Sequence, residues 1–250
     1  MKTVLITGAT SGIGRAAAVE LAKHDFKLII CGRRKDRLAA LQAELGLCTE
    51  VHALSFDVRD KKAVREAISS LPEDFSRVDV LVNNAGNAHG LDPIQTGDLS
   101  DWDAMVDINI KGLLYVSHAL IPKMAEQRGG HIINIGSTAA KEVYPNGNVY
   151  CATKHAVDAI TQGMRMDLNQ YGIRVGGIHP GMVETEFSQV RFKGDAERAA
   201  GVYKGFEPLK PEDIADIIRF VVTRPYHVNI ADLVVMPTAQ ASATIVNRIV

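Results

Sequence analysis

Seven short runs of this sequence are apolar nearly from end to end. They are TVLIT at 3–7, KLIIC at 27–31, VHALSF at 51–56, VDVLV at 78–82, HIINI at 131–135, IRVGGI at 173–178 and LVV at 233–235. A strand with one wet face alternates apolar and polar residues, whereas a strand covered by helices on both faces does not. Helical patterns separate the runs, at about 13–23, 35–44, 61–70, 110–124 and 149–168. This alternation predicts an α/β fold: a doubly wound, mostly parallel seven-stranded sheet with helices on both faces.

A chain of 250 residues, 46% hydrophobic, can fill one large core. There is no internal repeat, low-complexity tract or Pro/Gly/Ser-rich linker, so residues 1–250 read as a single domain. The one long irregular stretch follows Pro180, and a substrate lid is expected at about 181–210. A tail follows at about 237–250. Lys plus Arg number 28 against 29 Asp plus Glu, a net charge of -1, which excludes a strongly basic nucleic-acid binder. No run of 18 apolar residues occurs, so no membrane-spanning helix is expected. The opening MKTVLITG is too short in apolar length for a secretory signal. Cys31, Cys48 and Cys151 are odd in number and widely spaced. They predict reduced thiols and a cytoplasmic protein rather than a disulfide framework or a CxxC metal site.

The turn after the first strand reads Thr7-Gly8-Ala9-Thr10-Ser11-Gly12-Ile13-Gly14. Glycines let a backbone turn tightly and approach a ligand without a Cβ clash. The following helix N-terminus offers free N–H groups and a positive dipole end to a pyrophosphate. A tight turn without a ligand would need the same residues, but the place in a βαβ unit points to a dinucleotide. An NAD site needs an acid about 20 residues further on, to hold the ribose hydroxyls. Here the second strand ends in Cys31-Gly32-Arg33-Arg34. Two guanidiniums suit a 2′-phosphate, so NADP(H) is the expected cofactor. The other use of Arg33 and Arg34 is a solvated helix face shared with Lys35 and Arg37.

Tyr150 and Lys154 stand at i and i+4 in YCATK, on one face if helical. A nearby ammonium favours phenolate, making Tyr150 usable as an acid or base near neutral pH. Alone, such a pair is usually a surface pair. Here Ser137 ends a strand, where open α/β sheets bind ligands, and Asn109 lies in DINIKG at the start of an apolar helix.

TGATSGIG, NNAG at 83–86, Asn109, Ser137, YCATK and Pro180-Gly181 occur together and in order. This set resembles the short-chain dehydrogenase/reductase family over residues 1 to about 235. The resemblance implies a Rossmann fold and NAD(P)-dependent hydride transfer between an alcohol and a carbonyl. It also implies roles. Tyr150 exchanges the proton with the substrate oxygen, Ser137 hydrogen-bonds that oxygen, Lys154 holds the nicotinamide ribose, and Asn109 holds a relay water. Asp57 and Val58 match an adenine-contacting pair, and Asn84, Ala85 and Gly86 would line the cofactor. Ile178, Pro180, Gly181, Val183 and Thr185 would surround the nicotinamide. The family's usual chemistry needs no metal, and the sequence shows no metal-ligand cluster. A homotetramer is implied, with the 110–124 and 149–168 helices pairing across a dimer axis and the apolar tail lying on a neighbour.

GRRKDRLAALQAEL, INIGSTA, GNVYCATK, TEFSQVRFKGD and HVNI are similar to the NADP-dependent 3-hydroxy acid dehydrogenases, which oxidise serine and allo-threonine. That implies a small 3-hydroxy acid substrate, with an acidic aldehyde or a 3-oxoacyl compound as alternatives. A silent NADP-binding sensor would not need Ser137, Tyr150 and Lys154. Within the lid, Arg191 is expected to clamp a substrate carboxylate. Lys193 is a second cation there, and both have Glu184, Glu186 and Asp195 as possible partners. Of eight histidines only His179 adjoins the nicotinamide segment. Trp102 reads as helix packing, and Met164 and Met166 as core or subunit interface.

Overall fold

The computed structural model describes residues 1–249, so Val250, the last residue of the expected tail, lies outside the described residues. The strands are β1 (Lys2–Thr7), β2 (Phe26–Gly32), β3 (Val51–Ser55), β4 (Val80–Asn83), β5 (Gly130–Ile135), β6 (Ile173–Pro180) and β7 (Asp232–Val235). The helices are α1 (Gly12–Ala22), α2 (Lys35–Leu45), α3 (Lys61–Ser69), α4 (Leu99–Val106), α5 (Leu113–Glu126), α6 (Asn148–Leu168), α7 (Phe187–Arg191), α8 (Ala196–Gly201) and α9 (Pro211–Val222).

All neighbouring strands pair in parallel, in the order β3-β2-β1-β4-β5-β6-β7. The chain runs outward from β1 to β3, returns beside β1 as β4, and runs outward again to β7. Its direction therefore reverses between β1 and β4. The crevice outside the strand C-termini at such a reversal is where open α/β sheets bind ligands.

The apolar strands divide their side chains between two cores. On one face Val4, Ile6, Leu28 and Ile30 pack with Leu21 of α1, Leu41 of α2 and Ile218 of α9. On the other, Leu5, Ile29, Leu81 and Ile132 pack with Ile68 of α3, Leu120 and Met124 of α5, and Leu168 of α6. Ala16, Ala17 and Ala18 of α1 are all buried, which is why this first helix is alanine-rich: small side chains let it lie close to sheet and α9.

One expectation needs correction. The helix expected at about 110–124 begins later, because Asp107–Gly112 forms a wide π turn between α4 and α5. One extra residue per turn defeats a reading based on regular helical period, and such turns cluster at functional sites. The helical stretch 99–126 is also long and apolar enough to cross a membrane by length and composition. Its buried residues Val116, Leu120 and Met124 pack on this sheet instead. The described residues of the tail also make contacts with their own chain. Ile249 N donates to Gly205 O at 2.7 Å, and Ala243 N donates to Glu142 Oε2 at 2.8 Å. Arg248 donates to the backbone carbonyls of Val202 and Lys204.

Candidate active site

The turn after β1 takes its shape from glycine. Gly8 and Gly12 have φ of +67° and +50°, where a side chain is strained. Gly14 is needed for a different reason: a Cβ there would lie 2.4 Å from both Gly8 O and Asn84 Nδ2. The turn is stitched to β4 by Thr7 and Asn84. Thr7 Oγ1 accepts from the N–H groups of Asn84 and Ala85, each at 3.0 Å. Asn84 Nδ2 donates back to Thr7 O at 2.9 Å.

A cavity of about 620 Å³ opens above the strand C-termini. Gly8, Thr10, Ser11, Gly12, Ile13, Arg33, Arg34, Val58, Asn84, Ala85, Gly86, Ser137, Tyr150, Lys154, Pro180, Gly181, Val183, Thr185 and Arg191 all line it. Gly14, Asp57, Asn109 and Ile178 stand outside its lining. Gly14 is a packing position and Ile178 belongs to the core. Asp57 pairs with Arg59 at 2.7 Å and lies 3.6 Å from Arg33. Burial raises the Asp57 pKa, but hydrogen bonds from Arg59 outweigh it and hold the carboxyl below its ordinary value.

The walls fit a dinucleotide. The N-terminal turn of α1 borders the cavity, and its first N–H groups have no intrahelical acceptor. Ser11 makes no side-chain cap, and its hydroxyl accepts from Arg34 at 2.9 Å instead. Arg34 also donates to Thr10 Oγ1 at 3.0 Å, so it ties the β2 end to the glycine turn. Arg33 is the more exposed of the two guanidiniums. Near Gly86 an added Cβ would lie 3.0 Å from Asn109 Oδ1 and 3.6 Å from Lys154 Nζ. Only a bare backbone leaves room there for a ligand.

Ser137 follows β5, while Tyr150 and Lys154 lie one turn apart on α6, both buried. Asn109 projects from the π turn. Its Oδ1 accepts from Asn87 N at 2.9 Å, and its Nδ2 donates to Asn87 O at 2.8 Å and to Thr153 Oγ1 at 3.0 Å. Thr153 Oγ1 in turn donates to Tyr150 O at 2.8 Å. Asn109 thus braces the backbone between β4 and α6.

The expected depression of the Tyr150 pKa is absent in the protein alone. Burial pushes the phenol up, with Tyr144 adding to the rise and Ser137 and Arg191 opposing it. The Lys154 Nζ donates to Ile135 O at 3.0 Å. Burial brings Lys154 down to about 8.

The lid carries two short helices, α7 and α8, where an irregular stretch was expected. Arg191 Nε donates to Gly90 O and its NH1 to Tyr144 Oη, both at 3.1 Å. Its guanidinium lies 5.5 Å from the Tyr150 ring centroid. No acid pairs with it among the described residues. Lys193 instead pairs with Asp101 at 3.0 Å. Glu186 bridges Arg34 and Arg37, at 3.1 and 2.7 Å, and so fastens the lid to the β2 end. Glu184 pairs with Lys210. Tyr144, Asn87, Thr153 and Gln240 were not foreseen, and Glu186 pairs with Arg34 and Arg37 rather than with Arg191 or Lys193. Gln240 Oε1 accepts from Met182 N at 2.9 Å, binding the tail to the lid's first residues. Nothing in their local spacing marks them, since each also makes contacts distant in sequence.

A doubly wound sheet with a glycine cradle at its reversal and a Ser–Tyr–Lys set at the next strand end defines an oxidoreductase built on a Rossmann fold. The chain belongs to the short-chain dehydrogenase family, whose pattern it matches over residues 2–196. It is 49% identical to sulfoacetaldehyde reductase 2 of Chromohalobacter salexigens over 98% of each chain. It is 46% identical to serine 3-dehydrogenase of Rhizobium radiobacter over 96% of each. The closed form of a serine dehydrogenase complexed with NADP+ superposes with a TM-score of 0.94 at 43% identity, covering 97% of this chain and 98% of that one.

The buried Lys154 sets a pH dependence with a defined sign. Its folded pKa, about 8, lies below the ordinary 10.5, so between these values the unfolded chain binds more protons. Stability contributed by this group therefore rises with pH across that window. Urea unfolding of wild type and Lys154→Met should show the wild type gaining stability relative to the variant from pH 8 upward. Parallel curves would place Lys154 at its ordinary value.

Proposed function

We propose that this chain is an NADP-dependent oxidoreductase that moves a hydride between NADP(H) and a small 3-hydroxy acid of the serine, allo-threonine or 3-hydroxypropionate type, or its carbonyl counterpart. The observation that carries the substrate class is Arg191. A guanidinium without an acid partner borders the cavity 5.5 Å from the ring of Tyr150, where an anionic group next to a reacting carbon would lie. Through two parallel N–H bonds, Arg191 holds the carboxylate and so orients the carbon that reacts. Tyr144 Oη and Gly90 O fix the guanidinium on its far side.

Bound NADP(H) supplies or accepts the hydride. Gly8, Thr10, Ser11, Gly12 and Ile13 cradle its pyrophosphate, with Gly14 allowing the turn to close. Arg33, the more exposed guanidinium at the β2 end, faces the 2′-phosphate, with Arg34 behind it. Asp57 and Val58 flank the adenine, and Asn84, Ala85 and Gly86 form the floor. Pro180, Gly181, Val183 and Thr185 border the nicotinamide. Lys154 holds the nicotinamide ribose and, turned from Ile135 O toward it, brings its charge to Tyr150. That charge opposes the burial that raises the phenol. Ser137 donates a hydrogen bond to the substrate oxygen, Tyr150 passes the proton, and Asn109 holds the backbone and relay water behind them. No metal enters this scheme. Residues 1–250 act as one domain, with the lid at about 181–210 and the tail from about 237 closing over the cavity.

The relationship to a sulfoacetaldehyde reductase favours a second reading, in which the anion is a sulfonate and the substrate an acidic aldehyde. Arg191 serves either anion. A 3-oxoacyl substrate fits less well beside this cation.

Tyr150→Phe keeps the ring and removes the transferable proton. Turnover should fall by roughly 10²- to 10⁴-fold with NADPH affinity retained. A variant keeping most of its rate would assign the proton to another group. Wild type should prefer 3-hydroxypropionate to 1-propanol, or sulfoacetaldehyde to propanal under the second reading. Arg191→Ala should reduce that preference in kcat/KM by roughly 10- to 150-fold. Lack of preference in wild type would remove the acid class, whereas preference surviving in the variant would move the anion site elsewhere.

We further propose a cytoplasmic homotetramer. Leu114 on α5 and Met166 on α6 are 39% and 76% exposed, and such apolar side chains suit burial against a second copy. Light scattering at micromolar concentration should give a particle several times the 27.1 kDa chain mass, and a single-chain mass would overturn the assembly.

A further inference from the structure

Behind the catalytic serine lies a polar cluster that the proposed mechanism does not use. His179, at the end of β6, is 1% exposed. Its Nε2 lies 2.8 Å from Asp232 Oδ1 and 3.8 Å from Asp158 Oδ1. Lys141 Nζ donates to the other oxygen of each acid, at 2.8 Å to Asp232 Oδ2 and 3.1 Å to Asp158 Oδ2. These residues are distant in sequence, yet each belongs to an element that carries part of the site. Lys141 follows the short turn that Ser137 caps. Asp158 is one helical turn beyond Lys154 and two beyond Tyr150 on α6. His179 precedes Pro180-Gly181, and Asp232 opens β7.

The sequence spacing marks no metal-ligand cluster, but the fold brings three groups of ligand type together. His179, Asp158 and Asp232 present ligand atoms within 4.8 Å of one another. The local chemistry disfavours a metal all the same. The Lys141 ammonium already neutralises charge at both carboxylates. His179 Nδ1 has no acceptor, and a metal-bound imidazole normally needs one to fix its ring.

Geometry gives the ring another role. A Cβ on Gly136 would lie 2.2 Å from His179 Nδ1, and one on Gly177 would lie 2.6 Å from Nε2. The imidazole is thus pressed against the backbone immediately before Ser137. Gly136 N donates to Ile178 O at 2.7 Å, so the serine turn is joined to β6 at the same point. We propose that His179, packed beside the Asp232 and Asp158 carboxylates that Lys141 braces, is a positioning residue for Ser137: the anchored ring fixes the Gly136-Ser137 backbone against α6 and the Pro180-Gly181 segment. Neither ring nitrogen makes an aligned hydrogen bond. The ring is held by close packing, with Asp232 Oδ1 at 2.8 Å from Nε2 its nearest charged neighbour, and an apolar side chain of similar size has no polar edge to present there. Burial and Lys141 keep His179 below its ordinary pKa, opposed by Asp232 and Asp158, so the neutral ring is the anchored form.

This inference rests on the reading of Ser137 as the group that bonds the substrate oxygen, and the experiment separates the two. Steady-state kinetics would compare wild type, S137A, H179L, H179Q and D232N on the best anionic substrate, with NADPH affinity measured by fluorescence. H179L fills the space without the polar link. Its kcat should fall about 10-fold or more, because a small misplacement of reacting groups is costly, while NADPH affinity stays within about twofold. H179Q, which can set an amide nitrogen near the Nε2 position, should recover most of that loss. D232N removes a charge at a half-exposed position and should lower kcat severalfold without lowering the melting temperature, a readout that stands even if H179L does not fold. Full kcat in H179L or in D232N overturns the proposal, as does failure of H179Q to rescue. A melting temperature raised by Mn2+ or Zn2+ in wild type and not in H179L would make the cluster a metal site and also overturn it. If S137A keeps its activity, the reading of Ser137 fails first. If S137A is impaired and the His179 variants are not, only the present inference falls.

Discussion

A single hydroxyl group closes the point on which this site depends. Thr7 Oγ1 accepts from the N–H groups of Asn84 and Ala85 where β1 and β4 end. Here the sheet reverses direction and two strand ends must part to admit a ligand while their backbones remain satisfied. A buried N–H left without a partner costs about 1–3 kcal/mol. Threonine and asparagine side chains replace the ladder bonds lost at the parting. The glycine turn, the Asn84–Gly86 floor and the Ser137 turn all take their positions from this seam.

Polar side chains continue inward from it. Asn83 Nδ2 donates to Ser117 Oγ and to Asn134 Oδ1, each at 2.9 Å, and Asn134 Nδ2 donates to Thr161 Oγ1 at 2.9 Å. β4 and β5 are thereby linked to α5 and α6 inside an otherwise apolar core. Such directional bonds specify one register between sheet and helices, which apolar contacts alone leave less defined. Because α6 carries Tyr150 and Lys154, this register also sets where these two side chains stand relative to Ser137.

The lid depends on charge. Glu186 with Arg34 and Arg37, and Lys193 with Asp98 and Asp101, join it to opposite rims of the cavity. These pairs are largely exposed, and exposed pairs contribute little each. Arg191 is different: its partners are a carbonyl and a phenol, which orient the guanidinium without neutralising it.

The sequence by itself determined the parallel sheet, the strand count, the glycine turn and the Ser–Tyr–Lys set. Each is written locally. Strands buried on both faces must be apolar throughout, a turn with φ of +67° selects glycine, and an i, i+4 pair shares a helix face. The Arg33-Arg34 signature at the end of β2 was equally local. Only the tertiary structure decided what comes together across the chain. It placed Arg191 over Tyr150 and left it without an acid partner among the described residues, although three acids lie near it in sequence. It turned Lys154 toward Ile135 O and buried Tyr150, so the phenol is raised rather than lowered. It bent the helix at Asn109 into a π turn that regular periodicity does not show. And it gathered Lys141, Asp158, His179 and Asp232 from four elements behind Ser137. Charge, burial and orientation at a point depend on everything within a few ångströms of it, and most of those neighbours are far away along the chain.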